Sequence, residues 1–526
     1  MNRRCALSVS IRVYPWFHRL NPILFWLIVS LAVPGAWARP VEITVLHTTD
    51  IHGHLLPTTD YDGVENVGGL LRCATRIEEI RQEKENVLLL DCGDLFQGSA
   101  ESYLNEGRAV IRAMEYLSYD AWILGNHEFD WGLPKLLALH DATALPMVAA
   151  NITGRPGRAS PLAKVKPYVI REFDGVRVAV VGLITPGVPS WSTPDLLGDT
   201  LFERSVQALK RVVPEVRAAE PDILLLATHQ GYRPYGDDHA NELNAVAEAF
   251  PEFDAIIGGH SHQSVERALV GGKTLFTQAG YHAIWLGQLD LTYDTVTRKL
   301  VQKNTRLHRI GAEVPMHTGL TAVVQAEVDQ ARSYLERPVG LSKGVLKYRV
   351  NALGQSPVQQ LICRSLIEAT GAELALHGIL DEEDLPAGEL KMADVWKIVP
   401  YENRAAVLLV TPAELTEILN ENLNRRGHIQ FMGPGGFTYE VDESGKQVTR
   451  ILLADGSTPH PRKRLRLVVN SYVVASGGQR FPRLREISER PETRLQLLEV
   501  DTRSSVVRYL EQHKPLNPAD FAEKKR

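Results

Sequence analysis

The chain has 526 residues, of which 58 are Lys or Arg and 63 are Asp or Glu, so its formal net charge is −5. This weakly acidic balance provides no electrostatic basis for binding a nucleic-acid polymer or an anionic membrane surface. The length is enough for about two to four domains, and four cysteines exclude a small fold that depends on many disulfides.

The first predicted element is a signal peptide over residues 1–38. Arg3, Arg4, Arg12 and Arg19 precede an apolar run at 23–33, and small residues at 34–38 resemble a cleavage site. The apolar run is shorter than the roughly 20 residues that a bilayer span needs. We therefore expect an exported, periplasmic or extracellular protein that does not stay in the membrane; a retained N-terminal anchor is the alternative.

A layered α/β domain is predicted over residues 39–308, because β-forming apolar runs alternate there with helical patterns. The strand-like runs are 43–46, 87–90, 122–124, 223–226 and 255–257, and the helical patterns are 69–83, 106–117, 205–218 and 241–249. The cysteines of this and the following region, Cys73, Cys92 and Cys363, lack metal-type spacing and are expected to be buried free thiols.

A second, smaller α/β domain is predicted over 339–500. A helical pattern at 318–336, ended by Arg337 and Pro338, predicts a linker helix within 309–338. Beyond it, helical patterns cover 358–369 and 412–423, and a strand-like run covers 464–469. Residues 501–526 are predicted to be a polar tail with one short helical stretch.

A polar motif follows each of the five strand-like runs of the first domain. The motifs are Asp50-Ile51-His52, Gly93-Asp94, Gly125-Asn126-His127-Glu128, Thr228-His229 and Gly258-Gly259-His260-Ser261-His262. Segments that leave the carboxyl ends of buried strands meet in one crevice. Imidazole nitrogens with carboxylate and amide oxygens form a mixed metal-ligand set. The set exceeds what one four-coordinate zinc needs. It fits two ions that share a carboxylate and promote hydrolysis at phosphorus or a similar tetrahedral centre.

Each motif alone has a plainer interpretation. Asp50 and His52 could be surface polarity, His229 a hydrogen-bonded core histidine, and residues 125–127 a turn. The joint occurrence of all five, in order and at strand ends, argues against coincidence. Histidines outside the set receive other predictions: His47 and His54 are expected beside the ligands or at the surface, and His239 in solvent.

The stretches 47–53, 93–99, 125–130 and 258–262 resemble the secreted 5′-nucleotidase/UDP-sugar hydrolase family, which belongs to the calcineurin-like metallophosphoesterases. The stretches 369–375, 384–389 and 475–478 extend the resemblance to nearly the whole mature chain. The resemblance implies a four-layer α/β/β/α sandwich followed by a smaller α/β domain. It also implies two divalent ions, of zinc, manganese or a similar metal, and a small phosphorylated substrate.

The same resemblance implies seven ligands, three for each ion and one shared. Asp50, His52 and His262 would hold one ion; Asn126, His229 and His260 would hold the other; Asp94 would bridge them. His127, paired with Asp130, would stabilise charge in the transition state or protonate the leaving oxygen. Tyr401 and Tyr472 are the candidates for aromatic contacts with the substrate.

The resemblance breaks in the substrate-binding half. The family's phosphate-binding Arg and Asn positions read Glu382 and His377, and its ribose-binding Asp position reads Gln479. Compensating cations are sought among Arg404, Arg425, Arg426 and Arg480. The leading hypothesis is an exported dinuclear-metal phosphoesterase acting on nucleotides, of the 5′-nucleotidase or UDP-sugar hydrolase type. The alternatives are a related metal hydrolase for a non-nucleotide phospho- or sulfo-substrate, such as a thiosulfohydrolase, and a binding protein that retains metal without turnover.

Overall fold

The computed structural model of the protein describes residues 40–158 and 160–522. The predicted signal peptide lies outside these ranges. Within them, no helix combines the length and the apolar character needed to cross a membrane. Cys73, Cys92 and Cys363 are buried and unpaired, as predicted.

Two six-stranded sheets form the first domain. The first sheet is parallel except for two strands at one edge, which are paired antiparallel, and the second has a parallel centre with one antiparallel strand at each edge. In spatial order, the first sheet contains Lys299–Arg309, Trp285–Asp294, Val41–Thr48, Val87–Asp91, Ala121–Ile123 and Met147–Val148. The second contains Ser264–Val270, Thr274–Ala279, Ala255–Gly258, Ile223–Thr228, Val176–Leu183 and Tyr168–Phe173. A small additional pair joins Ile152–Gly154 to Thr200–Phe202.

Three apolar cores separate the layers of this domain. The middle core lies between the two sheets, where Val45 and Leu90 of one sheet belong to the same buried cluster as Val180 and Leu225 of the other. The outer face of the first sheet packs on the helices Leu70–Glu83, Arg108–Tyr116 and Leu133–Asp141. The outer face of the second packs on Ser205–Ala218 and Leu243–Ala249. Strands buried on both faces read as continuous apolar runs. The predicted four-layer α/β/β/α sandwich is confirmed.

The helix Thr318–Leu335 connects the two domains. Leu320, Val324 and Val328 lie one helical turn apart and pack into the outer core of the first sheet. Near its end, Tyr334 packs against the core of the second domain. The short helices Ala100–Tyr103 and Pro194–Leu197 complete the α-helices described for the first domain.

The second domain is built on a five-stranded mixed sheet with helices around it. Its strands, in spatial order, are Gly433–Gly435, Leu374–His377, Leu465–Asn470, Arg404–Val410 and Gln496–Asp501. Two hairpin-like pairs add Pro338–Ser342 with Gly388–Lys391 and Phe437–Val441 with Val448–Leu453. The helices are Pro357–Thr370, Met392–Ile398, Pro412–Leu423, Ser471–Val474, Pro482–Ser488 and Thr502–Gln512.

The segment predicted as a polar tail differs from the prediction. The helix Thr502–Gln512 packs on Pro357–Thr370, and Val506 and Leu510 are fully buried in the second domain's core. These two residues are four apart and therefore share one face of the helix. Leu516 and Phe521 extend the same core toward the end of the described chain.

One set of contacts docks the second domain on the first; we call it the docking seam. The carbonyl of Ser190 accepts hydrogen bonds from the Gly478 amide (2.8 Å) and the Ser476 hydroxyl (3.2 Å). The neighbouring Pro189 carbonyl accepts from the guanidinium of Arg485 (2.7 Å). The seam fixes the loop 476–480 against the segment of the first domain that precedes Trp191.

Candidate metal centre

The five motifs meet at one end of the sandwich, where parallel strands of both sheets finish. In the first sheet, Thr48 pairs with Asp91, and Asp91 pairs with Trp122, so the motifs that follow these strands begin level with one another. In the second sheet, Ala227 pairs with Ile257. A hydrogen bond of 3.0 Å from the His260 amide to Asp50 Oδ2 joins the two sets of loops.

Five of the seven predicted ligands have a left-handed backbone, which is uncommon for residues other than glycine. Their φ angles lie between 50° and 70°: Asp50 51°, His52 50°, Asp94 57°, His260 70° and His262 55°. Gly93 has φ 94°, and a Cβ there would lie 2.7 Å from the Gly125 amide nitrogen. Such conformations persist where the surroundings impose them, and they cluster at functional sites. Here they turn successive side chains into one small space.

The structure brings the predicted ligand atoms together. Asp94 Oδ2 lies 2.9 Å from His229 Nε2 and 3.9 Å from His52 Nε2. On the other side, His262 Nε2 lies 3.0 Å from His52 Nε2 and 3.3 Å from Asp50 Oδ1. Three groups have donor atoms within 4.8 Å of one another: Asp50 with His52 and His262, Asp94 with His229 and His260, and, between these, His52 with Asp94 and His127. Asp94 therefore lies between the two predicted ion positions.

Hydrogen bonds fix which nitrogen of two imidazoles is available. His52 Nδ1 lies 2.7 Å from the Gln97 carbonyl, and His229 Nδ1 lies 2.7 Å from the Cys92 carbonyl. Because a carbonyl only accepts, each Nδ1 carries the proton, and the Nε2 lone pair points into the site. Metal-ligating histidines are oriented in this way.

Polar atoms of three ligands are buried without a hydrogen-bond partner among the described residues: Asp50 Oδ1, Asn126 Oδ1 and His229 Nε2. Buried polar atoms are normally satisfied, so such a group needs an explanation. A cation would satisfy all three. The carboxylate, amide and imidazole set therefore fits the divalent metals that the sequence predicts.

His127 faces the same space from the side. Its amide donates to Asp94 Oδ1 (2.8 Å), and its Nδ1 lies 2.5 Å from Asp130 Oδ2. Burial alone would lower the pKa of His127, but the carboxylates of Asp130 and Asp94 raise it to about 10. The imidazole is about one-quarter exposed, with Nε2 3.9 Å from Asp94 Oδ2. Asp130 therefore orients the His127 imidazole at the edge of the ligand cluster.

Sequence reasoning missed Glu128, which organises two of the motifs. Its buried carboxylate accepts hydrogen bonds from the amides of Asp94 (3.1 Å), Leu95 (2.6 Å) and Gly125 (2.5 Å). Burial, with Asp94 nearby, raises its pKa to about 7. Its position inside the 125–128 motif was the available signal in the sequence. A carboxylate next to metal ligands can bind the backbone amides of the ligand loops instead of the metal.

Tyr61 was also missed, because it lies in a polar loop without a motif. Its hydroxyl is 2.9 Å from His262 Nδ1, and its ring stacks on Tyr281 with 4.2 Å between centroids. The side chain is exposed at the mouth of the site. If Nε2 of His262 binds metal, Nδ1 carries the proton and donates it to the Tyr61 oxygen.

The other histidines lie as follows. His47 is fully buried in the strand Val41–Thr48, and burial lowers its pKa to about 3. His54 packs edge-on against His282, with 3.8 Å between ring centroids. His239 was expected in solvent, but it is half-buried, 5.6 Å from the Trp191 ring, because that ring covers the loop.

On the substrate side, Tyr401 lies in the cleft between the domains. Burial raises the pKa of its hydroxyl to about 12, with further contributions from Asp381, Tyr472 and Asp130. Tyr401 is 36% exposed, and Asp130 of the first domain and Tyr472 of the second are near enough to act on its hydroxyl electrostatically.

Of the replaced substrate-binding positions, His377 is engaged within the second domain. His377 is buried, with Nδ1 2.7 Å from the Gly378 carbonyl and Nε2 3.2 Å from the Asn470 amide nitrogen. Its role in the structure is packing within the second domain. Glu382 and Gln479 are exposed.

Comparisons with known proteins agree with this architecture. The chain matches the calcineurin-like phosphoesterase family over residues 43–264 and the 5′-nucleotidase C-terminal domain over 338–486. Protein UshA of Yersinia enterocolitica is 26% identical, over 95% of this chain and 97% of that protein. A putative 5′-nucleotidase of Staphylococcus aureus has a TM-score of 0.77 at 21% identity, covering 90% of this chain and 97% of that one. The Thermus thermophilus sulfate thiohydrolase SoxB has a TM-score of 0.64 at 17% identity, covering 89% and 94%.

The calcineurin-like domain defines a phosphoesterase, a hydrolase that acts on ester bonds, and its chemistry depends on divalent metal ions. The chain belongs to the 5′-nucleotidase family, in which this domain is followed by the 5′-nucleotidase C-terminal domain. The family predicted from the motifs is confirmed.

Proposed function

We propose that the protein is an exported phosphoesterase with two divalent ions, and that it hydrolyses phosphate esters of nucleotides. The single observation that carries the metal-dependent chemistry is the buried cluster of His, Asp and Asn donors, in which Asp50 Oδ1, Asn126 Oδ1 and His229 Nε2 have no partner among the described residues. The charged N-terminus followed by an apolar run supports export.

We assign Asp50, His52 and His262 to one ion, Asn126, His229 and His260 to the other, and Asp94 to both. When bound, the ions supply Lewis acidity to the phosphoryl group and to the attacking water. Glu128 holds the backbone of Asp94 in place through its hydrogen bond to the Asp94 amide. His127, protonated and oriented by Asp130, donates a hydrogen bond to the phosphoryl group or a proton to the leaving oxygen.

Nucleotides are the proposed substrates because Tyr401 and Tyr472 offer aromatic faces on the cleft, and stacking is how proteins hold a base irrespective of its sequence. The relatives named above include 5′-nucleotidases, which supports the same substrate class. The second domain would thus bind the nucleoside while the first holds the phosphate.

The test is hydrolysis by the purified exported protein with manganese or zinc, followed as inorganic phosphate, as sulfate or as the nucleotide product, according to the substrate. The panel contains AMP, UDP-glucose, a cyclic nucleotide, p-nitrophenyl phosphate and a peptide with a cysteine S-sulfonate. The variants are Asp94→Ala and His127→Ala. The matched control is His140→Ala, because His140 also lies beside an aspartate, 3.8 Å from Asp141, at the end of the helix Leu133–Asp141.

We expect metal-dependent nucleotide turnover, lowered about a hundred- to ten-thousandfold by His127→Ala and unchanged by His140→Ala. Hydrolysis of the aryl phosphate with no nucleotide turnover would refute the substrate and keep the phosphoesterase. Turnover of the S-sulfonate alone would favour a thiosulfohydrolase. Metal binding without any turnover, together with no effect of His127→Ala on ligand affinity, would favour a binding protein.

A further inference from the structure

We propose that Arg425 and Arg480 form, with Gln430 and Tyr472, a binding site for a second anionic group of the substrate, distant from the ester that is cleaved. The group is an oxyanion, either a carboxylate or a further phosphate. This inference rests on the proposed function, because it assigns a recognition role to the wall of the same cleft.

Four arginines near the cleft were candidates to replace the missing phosphate ligands, and the structure excludes two. The guanidinium of Arg404 is engaged by Asp195 (2.6 Å) and by the carbonyls of Leu497 (3.1 Å) and Leu498 (3.0 Å). Arg426 is exposed, and its guanidinium lies against the turn at Gly445. Arg404 therefore links the two domains, and Arg426 points away from Tyr472.

The other two lie beside Tyr472 and the loop that follows it. Arg480 Nη1 donates to Tyr472 Oη (2.9 Å) and to the Gly477 carbonyl (2.8 Å). Arg425 Nη2 donates to the backbone carbonyl of Arg480 at 3.4 Å, which places the Arg425 guanidinium against the same loop. In the described part of the chain, neither guanidinium has a carboxylate among its hydrogen-bond partners. Glu421 acts electrostatically on Arg425 without a hydrogen bond to it among the described residues, so the hydrogen-bonding capacity of the two guanidinium groups is free for an added anion.

Two polar atoms of this cluster are buried without a partner in the described structure: Arg425 Nε and Gln430 Oε1. The amide nitrogen of Gln430 lies 3.5 Å from Tyr472 Oη. The oxygen and nitrogen of a glutamine amide are assigned from their surroundings, and turning this amide over points its NH₂ to where Oε1 now lies. The cluster then presents donors from both Arg425 and Gln430. A bound oxyanion would accept from them, and guanidinium groups recognise oxyanions with paired hydrogen bonds.

The docking seam places this cluster next to the metal centre. The loop 476–480 is fixed on Ser190, and a Cβ at Gly478 would lie 2.6 Å from Trp191 Nε1. The Trp191 ring in turn packs edge-on against His260, with 5.0 Å between centroids. The Trp191 ring therefore lies between the metal centre and this cluster. A substrate whose phosphoryl group is at the metal centre would have the cluster one indole ring away.

The residue before Arg480 favours the binding of an anion over the binding of the two hydroxyl groups of a ribose. Gln479 occupies the position where the family carries an aspartate, so the carboxylate that would neutralise Arg480 is absent from that position. A substrate with a distal carboxylate or with a further phosphate, such as a nucleoside diphosphate ester, would place an anion beside Arg480.

The experiment uses the metal-loaded protein and a series of alkyl phosphates of increasing chain length, each with a distal hydroxyl, carboxylate or phosphate. The measured quantity is the ratio of kcat/KM for the anionic ester to that for the hydroxyl ester of equal length. We expect a preference of about ten- to a hundredfold at the best length, since a hydrogen bond to a charged group has that effect. Comparison of the two anionic series identifies which oxyanion is bound.

Arg480→Gln should reduce this ratio to near one, and Arg480→Lys should restore part of it. Arg426→Gln is the matched control and should leave the ratio unchanged. A ratio near one in the unaltered protein, or an equal effect of Arg480→Gln on all esters, would overturn the inference while the hydrolase stands. AMP is included as a reference: hydrolysis of AMP but of no alkyl ester would overturn the inference, and absence of hydrolysis of AMP and of every ester would instead contradict the proposed function.

Discussion

Replacing Glu128 by Gln is predicted to destabilise the first domain even in the absence of metal. The Glu128 carboxylate accepts three backbone amides, from Asp94, Leu95 and Gly125, within the two turns that carry Asp94 and Asn126. A glutamine side chain at this position would have nearly the same shape but only one accepting oxygen. The substitution therefore tests the hydrogen bonds without creating a cavity.

The magnitude follows from the geometry. Oε2 accepts from both Asp94 and Gly125, so an amide oxygen at that position keeps two bonds. The NH₂ group then faces the Leu95 amide, and a buried donor left without an acceptor costs about 1–3 kcal/mol. The two remaining bonds lose their charge assistance, which is roughly half their strength. Burial raises the pKa of Glu128, so the ionised carboxylate is itself costly in the folded state, and the neutral glutamine relieves part of that cost. We therefore expect the free energy of unfolding to fall by only about 1–2 kcal/mol.

The assay is urea unfolding of the first domain with a chelator present, at about pH 8, which is above the pKa of about 7 of Glu128, so that the carboxylate is ionised. Glu106→Gln is the matched control, because Glu106 pairs with Lys135 (2.9 Å) and Arg108 (3.3 Å) at the exposed surface. Such surface pairs contribute about 0.2–1 kcal/mol. If Glu128→Gln costs no more than Glu106→Gln, the assigned role of the carboxylate is refuted.

Three further predictions address metal binding and pH. Asp94→Asn removes the charged ligand that is proposed to be shared, so it should release about one ion per molecule and slow aryl-phosphate hydrolysis about a thousandfold. Metal content is measured by mass spectrometry, and retention of both ions would contradict this prediction. Tyr61→Phe should weaken metal binding about tenfold in a metal titration, because His262 loses its 2.9 Å partner while the stack on Tyr281 remains; unchanged affinity would show that the hydroxyl does not orient the ligand. Burial lowers the pKa of His377 to about 4, so the unfolded chain binds a proton that the folded state does not. The free energy of unfolding should therefore fall by about 3 kcal/mol as pH drops from about 6.5 to about 4. His377→Gln should reduce that slope in urea titrations at several pH values, and an unaltered slope would refute the account.

Much of the fold was predictable because it depends on local periodicity. The pattern at 205–218 corresponds to the helix Ser205–Ala218, and that at 412–423 to Pro412–Leu423. The latter begins with Thr411 and Glu414, which form a capping box. The strand order of the two sheets was not predictable in this way, because pairing joins residues far apart, such as Val41 with Tyr293. The family resemblance supplied that part.

The candidate site was likewise predictable only in part from the sequence. Residues with unusual chemistry beside glycine, such as Asp94 and His260, stand out in the sequence, and the structure places them together. Their assignment to metal stays a prediction. Glu128 and Tyr61 were missed because their roles depend on partners that only the fold supplies. The place of His377 was also hidden, since nothing in a sequence distinguishes a histidine that faces a substrate from one that packs against Asn470.

The docking seam has a consequence for building hybrid enzymes. Pro189 and Ser190, whose carbonyls accept Gly478, Ser476 and Arg485, directly precede the indole that touches His260. A designer who exchanged the second domain for that of a relative would thereby also alter what supports the indole. A chimeric protein should therefore take the segment 188–191 and the loop 476–485 from the same parent. A junction placed at the domain boundary would separate these two segments.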